Sequence, residues 1–199
     1  MSDKSLKVLA VVGSQRGKSV TRVVVQYVAE KLRTNGCAVD LLDLGKEPLP
    51  LYSPDHAAAA LGFAALQARV NRSDVFVLGT PDYHGSISST LKNFLDHFWL
   101  EFTGNLFATI VTSHEKGLTV TDQLRTVARQ CYAWSLPYGV SVAEDHDVKD
   151  GKIACQTLRK RLEMFERDVR VYGQLLSRQR RADLAGEESG FLERLRTKK

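Results

Sequence analysis

A glycine-rich stretch near the amino terminus, GSQRGKSVT, combines the residue types that bind phosphate. It follows an apolar run and offers hydroxyl groups and a guanidinium, those of Ser14, Arg16, Ser19 and Thr21. A phosphate monoester is held by such donors together with the free N–H groups at the start of a helix. The stretch therefore predicts a phosphate-binding turn, although a plain strand-to-helix turn with a serine cap has a similar composition.

The same stretch is one residue too short to be the P-loop of nucleotide hydrolases. A P-loop has four residues between its first glycine and the Gly-Lys-Ser/Thr sequence, so that successive backbone N–H groups wrap around a phosphate. Only three residues separate Gly13 from Gly17 here. The spacing therefore argues against a nucleotide hydrolase.

Two further clusters of polar and aromatic residues follow apolar runs. The segment Thr80 to Ser86 reads TPDYHGS, and the segment Thr112 to Gly117 reads TSHEKG. A glycine beside an aromatic residue brings backbone amides and a flat side chain against a planar ring. We expect these two segments and the phosphate-binding turn to form one ligand site.

The elements that must position these segments are strands and helices in alternation. Short, nearly continuous apolar runs predict five strands, at Leu6–Ser14, Cys37–Gly45, Val75–Pro81, Leu106–Ser113 and Tyr138–Ala143. The segments between them predict four helices, at Val20–Thr34, His56–Asp74, Ser88–Trp99 and Thr119–Trp134. This alternation indicates an α/β fold with a parallel sheet covered on both faces. Ligands bind such sheets beyond the carboxyl ends of the strands.

The carboxyl-terminal part predicts one long helix and then a charged tail. Apolar residues recur at intervals of three and four, at Leu158, Leu162, Phe165, Val169, Tyr172 and Leu176. Such a stripe is typical of a helix that lies on the sheet, and its spacing also suits a subunit interface. We expect a domain of residues 1–178 and a loosely docked tail of residues 179–199, with a short helix near Phe191 to Leu195.

Charge and composition narrow the classes of function. The net charge of +5 resides in residues 156–199, which hold 12 Lys/Arg and 7 Asp/Glu, while the remainder is neutral. We therefore expect no nucleic-acid partner, although a nucleic-acid-binding tail stays an alternative. No apolar run is long enough to span a membrane. The three cysteines have no zinc-finger spacing and favour the reducing cytoplasm.

The stretches GSQRGKSVT and GTPDYHGSISSTLKNFLD together resemble the NADPH-dependent FMN reductase family of the flavodoxin-like superfamily. That family pairs a GSxR loop with a T-P-x-Y-x-x-S-x-x-x-x-L-K-N-x-x-D segment. The matching residues here are Thr80, Pro81, Tyr83, Ser86, Leu91, Lys92, Asn93 and Asp96. The resemblance covers Leu6 to about Ala143, and it implies a three-layer sandwich with a five-stranded parallel sheet of order 2-1-3-4-5.

The resemblance also implies which residues bind FMN. The phosphate would lie on Ser14, Arg16, Ser19, Val20 and Thr21. The isoalloxazine ring would be lined by Pro81, Asp82, Tyr83, His84, Gly85 and Ser86. The pyrimidine end would rest on Thr112, Ser113, His114 and Gly117, although many members have paired glycines there and this chain has only Gly117. Lys92, Asn93 and Asp96 are expected to be structural.

The activity implied by the resemblance is FMN-dependent oxidation of NADPH or NADH. The hydride passes to the flavin and on to an acceptor, which is free flavin, a quinone, an azo compound or a metal ion. We expect no catalytic side chain and no metal ligand, a homodimer or homotetramer, and no membrane partner. A non-enzymatic electron carrier of the flavodoxin type is the alternative.

His97 and the aromatic residues Phe98, Trp99 and Phe102 are expected to pack in the core or at an interface, and Cys131 to be a buried apolar residue.

Overall fold

A computed structural model describes residues 5–55, 62–114 and 117–196 of the chain. Its strands are β1 (Lys7–Val12), β2 (Ala38–Asp43), β3 (Val75–Tyr83), β4 (Ser86–Ile87), β5 (Leu106–Ser113), β6 (Trp134–Ser135), β7 (Val140–Ala143), β8 (Val148–Lys149) and β9 (Lys152–Ile153). Its helices are α1 (Val20–Thr34), α2 (Phe63–Asn71), α3 (Ser89–Asp96), α4 (Leu118–Gln130), α5 (Glu144–Asp147) and α6 (Gln156–Ala185). Two short 3-10 helices, at Leu100–Phe102 and Glu193–Leu195, complete the described elements.

The central sheet has the predicted parallel order, with its last strand in two pieces. Neighbouring strands follow the order β2-β1-β3-β5, and β6 and β7 both pair in parallel with β5. β6 pairs with the beginning of β5 and β7 with its end. Pro137 lies between the two pieces and has no N–H to donate to the ladder. The flavodoxin-like order 2-1-3-4-5 is thus confirmed, with β6 and β7 as its fifth strand.

Both faces of the sheet are covered, which explains why the strands are apolar along their whole length. Alternate residues of β1 point to opposite faces, so Val8 and Ala10 join one core and Leu9 and Val11 the other. α1 and α6 cover the first core, and α2, α3 and α4 cover the second. Most of the residues that fill each core are therefore drawn from the predicted strands and helices, and Phe102, Leu136 and Ile153 are the exceptions.

Several element boundaries differ from the predicted ones. β3 runs on to Tyr83 because Asp82 and Tyr83 pair with β4 in a tight hairpin. α4 ends at Gln130, not Trp134, because Trp134 pairs with Leu106 of β5. α2 begins at Phe63, and residues 56–61 of the predicted helix lie outside the described residues. α5 and the β8–β9 hairpin were not predicted, since each is too short for a hydrophobic period.

The predicted final helix lies on the sheet, and it is longer than expected. Leu158, Leu162, Phe165 and Val169 are buried in the first core, whereas Tyr172 is exposed. α6 runs on past residue 178 to its end at residue 185.

The described part of the predicted tail, residues 179–196, packs against the rest of the chain, which differs from the expected loose docking. Leu192 is buried, Arg180 Nε donates to the Thr103 carbonyl at 2.8 Å, and Phe191 contacts Tyr132. The 3-10 turn Glu193–Leu195 falls where a short helix was predicted. The division of the chain into two domains at residue 178 stays a prediction. No helix in the described ranges has the length and apolar character needed to cross a membrane.

Candidate functional site

The three predicted ligand segments lie at one edge of the sheet. β1, β3 and β5 are parallel neighbours, so their carboxyl ends meet. The Gly13 N–H donates to the Gly79 carbonyl at 2.8 Å, and Pro81 pairs with Thr112. A side chain at residue 13 would place its Cβ 2.7 Å from that of Leu91, so only glycine permits this approach. The fold therefore brings together the segments that the sequence singled out.

The first segment is a loop that ends at the amino terminus of α1. Ser19 caps the helix, since its Oγ accepts from the Arg22 N–H at 3.1 Å. The other N–H groups of the first turn, beginning with that of Val20, have no acceptor within the helix. Ser14 is buried, and its Oγ accepts weakly from the Arg16 N–H at 3.4 Å. Both serine hydroxyls keep a hydrogen to donate to an anion.

Arg16 lies at the rim of this loop with its guanidinium in solvent. Its side chain is 64% exposed, and Nη1 is 3.3 Å from Oε2 of Glu144 at the start of α5. Exposed ion pairs of this kind stabilise a fold by little, about 0.2–1 kcal/mol. The guanidinium can therefore exchange Glu144 for a bound phosphate at small cost.

Thr21 faces the interior instead of the loop. Its side chain is buried, and its Oγ1 lies 2.5 Å from Oγ1 of Thr112 at the end of β5. The Thr112 hydroxyl also donates to the Thr80 carbonyl at 3.4 Å. This pair joins the start of α1 to the end of β5. The assignments of Thr21 and Thr112 as cofactor ligands remain predictions, and the structure gives both side chains another partner.

Arg22 holds the phosphate loop in shape, and the sequence analysis missed it. Its guanidinium donates to three loop carbonyls, those of Ser14 (3.2 Å), Arg16 (2.7 Å) and Gly17 (3.1 Å). It also pairs with Asp43 at the end of β2, with Nε 2.6 Å from Oδ2. Burial would raise the pKa of Asp43, but hydrogen bonds from Arg22 and the Gly45 N–H outweigh burial and lower it. The only sequence signal was an arginine one turn after the capping serine.

The second segment is the β3–β4 hairpin, which presents Tyr83 to solvent. His84 and Gly85 form its turn with φ angles of 56° and 75°, a left-handed conformation that glycine adopts without strain. Tyr83 is 48% exposed although it is the last residue of a strand that is otherwise almost entirely buried. Pro81 is buried below it, and Ser86 is half-buried opposite it. This arrangement leaves a flat aromatic side chain at the edge of the site.

Gln123 of α4 fastens the hairpin, and it is the second residue that the sequence analysis missed. Its Oε1 accepts from the Ser86 hydroxyl at 3.2 Å and from the Ile87 N–H at 3.1 Å. Its Nε2 donates to the Gly85 carbonyl at 3.2 Å. One side chain thus fixes the hairpin against the first turns of α4. An isolated glutamine on a helix carries no sequence pattern that would have marked it.

The third segment joins β5 to α4 and is tied to the hairpin. Asp82 accepts from the Gly85 N–H through Oδ1 (2.8 Å) and from the Ser113 hydroxyl through Oδ2 (3.1 Å). His114 is exposed, and Gly117 precedes α4 with a φ of 58°. Residues 115 and 116 lie outside the described residues. The amino terminus of α4 therefore points its N–H groups toward the same edge of the sheet.

Three other residues singled out in the sequence, Cys131, Asn93 and His97, are buried or hydrogen-bonded within the fold. Burial, with the negative charge of Glu101 second, raises the pKa of the Cys131 thiol to about 11, as suits a buried apolar residue. Asn93 accepts from the Tyr52 N–H and donates to the Pro50 carbonyl, so it has the predicted structural role. His97 Nε2 is 3.1 Å from the same carbonyl, and its ring packs against Phe63.

The donor set at the strand ends fits FMN. The loop from Ser14 to Ser19 offers two hydroxyls, one solvent-exposed guanidinium and the amino terminus of α1, which is the mixture that a phosphate monoester requires. The exposed Tyr83 ring offers a flat surface for an isoalloxazine ring. Because both features lie at adjacent strand ends, one elongated ligand can contact both.

Residues 6–147 match the NADPH-dependent FMN reductase family. The chain belongs to this family. The predicted class of enzyme, an FMN-dependent NAD(P)H oxidoreductase, is thereby confirmed. An FMN-dependent NADPH-azoreductase of Staphylococcus haemolyticus is 26% identical over 175 residues, which make up 84% of this chain and 91% of that protein. The corresponding enzyme of Staphylococcus aureus (strain USA300) is 30% identical over 102 residues, or 49% of this chain and 54% of that protein.

Solved structures support the fold of this FMN reductase family member. The NAD(P)H:(acceptor) oxidoreductase FerB of Paracoccus denitrificans is similar with a TM-score of 0.65 and 21% identity, over 87% of this chain and 98% of that one. An NADH:FMN oxidoreductase in its apo form gives a TM-score of 0.65 and 16% identity, over 86% and 89%. A flavodoxin from the domain Archaea gives a TM-score of 0.56 and 11% identity, over 87% and 98%.

Proposed function

We propose that this chain binds FMN at the carboxyl ends of β1, β3 and β5 and uses NADPH to reduce a small acceptor. The observation that carries the proposal is the convergence of the Ser14–Ser19 loop and the Tyr83 hairpin at one edge of the sheet, each held by a side chain of its own, Arg22 and Gln123. A site fixed in this way is preformed, so little ordering free energy is lost when the cofactor binds.

The phosphate end of the site binds through charge and hydrogen bonds. Ser14 and Ser19 donate their hydroxyl hydrogens, and the first turn of α1 adds its N–H groups and the positive end of its dipole. Arg16 leaves Glu144 and supplies the positive charge. Arg22 keeps the loop carbonyls turned away from the anion by binding them itself. The loop therefore presents donors on one side and hides its acceptors on the other.

The ring end of the site orients the cofactor and excludes water. Bound FMN supplies the hydride-accepting and hydride-donating chemistry, and the protein supplies position and electrostatics. Tyr83 would line the ring, and Asp82 and Gln123 keep the hairpin in place through their bonds to Gly85. The amino terminus of α4 stabilises negative charge that develops near it. His84, exposed at the turn, acts as a wall residue and not as an acid.

We further infer that the acceptor is an azo compound or a quinone, and that the chain works as a cytoplasmic homodimer or homotetramer. The azo acceptor follows from the activity named for the Staphylococcus relatives. Of the aromatic residues expected at an interface, Phe98 and Phe102 are buried in the core and Trp99 is half-exposed. The exposed ring of Tyr83 supports a partner subunit at this edge, since a large apolar side chain gains from being covered.

The test is FMN binding followed by turnover. The purified chain is titrated with FMN by flavin fluorescence, and NADPH oxidation is then measured with methyl red and with a benzoquinone as acceptors. We expect stoichiometric FMN uptake, rapid oxidation with at least one acceptor, and an FMN affinity at least about tenfold lower in Arg16→Ala. The control is Arg33→Ala in the last turn of α1, at the far end of that helix from the loop, which should bind FMN normally.

Two results would contradict the proposal. Absence of FMN binding would remove the phosphate role of the Ser14–Ser19 loop. FMN binding without NADPH oxidation would indicate an electron carrier, the alternative that the flavodoxin-like fold allows.

A further inference from the structure

Three side chains of metal-binding type lie together outside the proposed flavin site. His146 and Asp147 belong to α5, and Cys155 immediately precedes α6. Their donor atoms, an imidazole nitrogen, a carboxylate oxygen and a thiol sulfur, all lie within 4.8 Å of one another. Zn²⁺ is the common biological cation that accepts all three kinds of ligand. The sequence analysis expected no metal ligand, because these residues have no zinc-finger spacing.

The donor atoms already have nearly the spacing of a zinc site. His146 Nδ1 is 2.9 Å from Asp147 Oδ1, and the Cys155 Sγ lies within 4.8 Å of both donor atoms. Ligand atoms of a tetrahedral zinc ion lie about 3.3–3.8 Å apart, given metal–ligand distances of about 2.0–2.3 Å. Small side-chain rotations would open the group to this spacing. The ion would then take the place of the hydrogen that now lies between His146 Nδ1 and Asp147 Oδ1.

The backbone holds two of the ligands in position. The β8–β9 hairpin turns the chain back, so that the Ala154 and Cys155 N–H groups donate to the Asp147 carbonyl at 2.8 and 3.3 Å. The Asp147 side chain is only 13% exposed, and its Oδ2 accepts from the Ala143 N–H at 2.8 Å. Its Oδ1 is the oxygen that faces His146. A ligand whose second oxygen is hydrogen-bonded in this way is fixed for metal binding.

There is room for a fourth ligand. The group lines a cavity of about 470 Å³ that also contains Ser141 and Thr157. The imidazole of His146 is largely exposed, with 76% of its side-chain surface in solvent, so an ion can reach the group directly. Water is therefore the natural fourth ligand. Arg161 also borders the cavity, but its guanidinium lies over the Tyr138 ring at 4.9 Å from the centroid.

We propose that His146, Asp147 and Cys155 bind one Zn²⁺ ion, with water as the fourth ligand. The Cys155 thiol releases its proton to solvent on binding, so that a thiolate, a carboxylate and a neutral imidazole neutralise the charge of the ion. The ion links α5 to the start of α6 across the β8–β9 hairpin. Because α5 also carries Glu144, which pairs with Arg16, this link holds Glu144 in place beside the phosphate loop. The zinc site itself does not depend on the proposed flavin chemistry.

The test uses Co²⁺ as a spectroscopic probe for zinc. Untagged full-length protein is reduced, freed of metal with a chelator and titrated with Co²⁺. We expect one equivalent to bind, with a thiolate-to-cobalt charge-transfer band and the visible bands of a four-coordinate ion, and Zn²⁺ to displace it. Cys155→Ser should abolish the charge-transfer band. His146→Gln should weaken binding by more than about 100-fold, since even the loss of an outer-shell partner costs about 10–100-fold.

A control and a second measurement separate loss of the ion from loss of the fold. Cys37→Ser changes a buried cysteine outside the group and should keep the full Co²⁺ spectrum. Zinc should raise the thermal unfolding midpoint of the wild type and of Cys37→Ser, because it binds only the folded chain, and should leave that of Cys155→Ser unchanged. The proposal is overturned if no stoichiometric Co²⁺ binds, or if the bound ion gives the same spectrum in Cys155→Ser. Either result would leave the three side chains as a hydrogen-bonded cluster only.

Discussion

Arg22 and Asp43 face each other between the first turn of α1 and the end of β2, with Nε 2.6 Å from Oδ2 and Nη2 3.2 Å from Oδ1. The remaining N–H groups of Arg22 reach the carbonyls of the phosphate loop. Both side chains are largely buried, at 13% and 7% exposure. The shape of the loop is therefore set by a contact with a neighbouring strand and not by the loop's own sequence.

Replacing Arg22 with alanine should cost both stability and cofactor affinity. The change leaves Asp43 buried without its partner and frees three loop carbonyls, which should lower the free energy of unfolding by about 3 kcal/mol. FMN affinity should fall as well, because the loop loses its fixed shape. Urea unfolding and FMN titration measure the two effects. The control Arg33→Ala removes an exposed pair with Glu30 and one hydrogen bond to the Val39 carbonyl, and should lower stability by about 1 kcal/mol. Equal effects of the two variants would contradict the role given to Arg22.

The Asp43 carboxylate should make stability depend on pH in the acid range. Its pKa in the folded chain lies below the ordinary value of 3.8, because Arg22 and the Gly45 N–H bind the charged form more strongly than burial disfavours it. The stabilisation is therefore complete above the unfolded pKa of about 3.9 and is lost as the pH falls through the folded pKa. Wild type and Asp43→Asn should differ in unfolding free energy near neutral pH and converge as the pH falls through the lowered folded pKa of Asp43. A difference that stays constant across this range would disprove the linkage.

Gln123→Ala should loosen the hairpin without unfolding the protein. The substitution removes three hydrogen bonds, to Gly85, Ser86 and Ile87. Each contributes a net of about 1 kcal/mol to the free energy of unfolding. The phosphate loop is untouched, so FMN affinity should change less than the rate of NADPH oxidation. Stopped-flow reduction of the bound flavin compares the two. Thr126→Ala, one turn further along α4 on its exposed side, is the control. A variant with normal flavin reduction would show that the hairpin needs no such support.

The three cysteines should react at different rates with a thiol reagent. Burial raises the pKa of Cys131 to about 11 and also raises that of Cys37, so both thiols stay protonated and covered near pH 8. Cys155 is half-buried at the start of α6 and should react first. A time course with Ellman's reagent should show one fast thiol in the native protein and all three in denaturant. Protection of the fast thiol by Zn²⁺ would agree with the proposed metal site, and fast labelling of Cys131 would contradict its burial.

The sequence was sufficient to predict the alternation of strands and helices and the segments at the strand ends, whereas the sheet order was implied by the resemblance to the FMN reductase family. Hydrophobic periodicity reports burial directly, and parallel strands must present their carboxyl ends together. The predicted loop residues Ser14 and Ser19 do lie in the loop that leads into α1, and Tyr83 does lie exposed at the end of its strand. These features follow from local residue types, which is why one sequence was enough.

The tertiary structure alone decided which side chains hold the site and which way they point. Arg22 and Gln123 were missed because their partners lie on other elements, and Thr21 was expected in the loop but turns inward to Thr112. The packed chain end and the group of His146, Asp147 and Cys155 likewise depend on contacts between distant segments. Local sequence determines periodicity and turns, whereas the direction of a side chain depends on the partner that the fold places beside it.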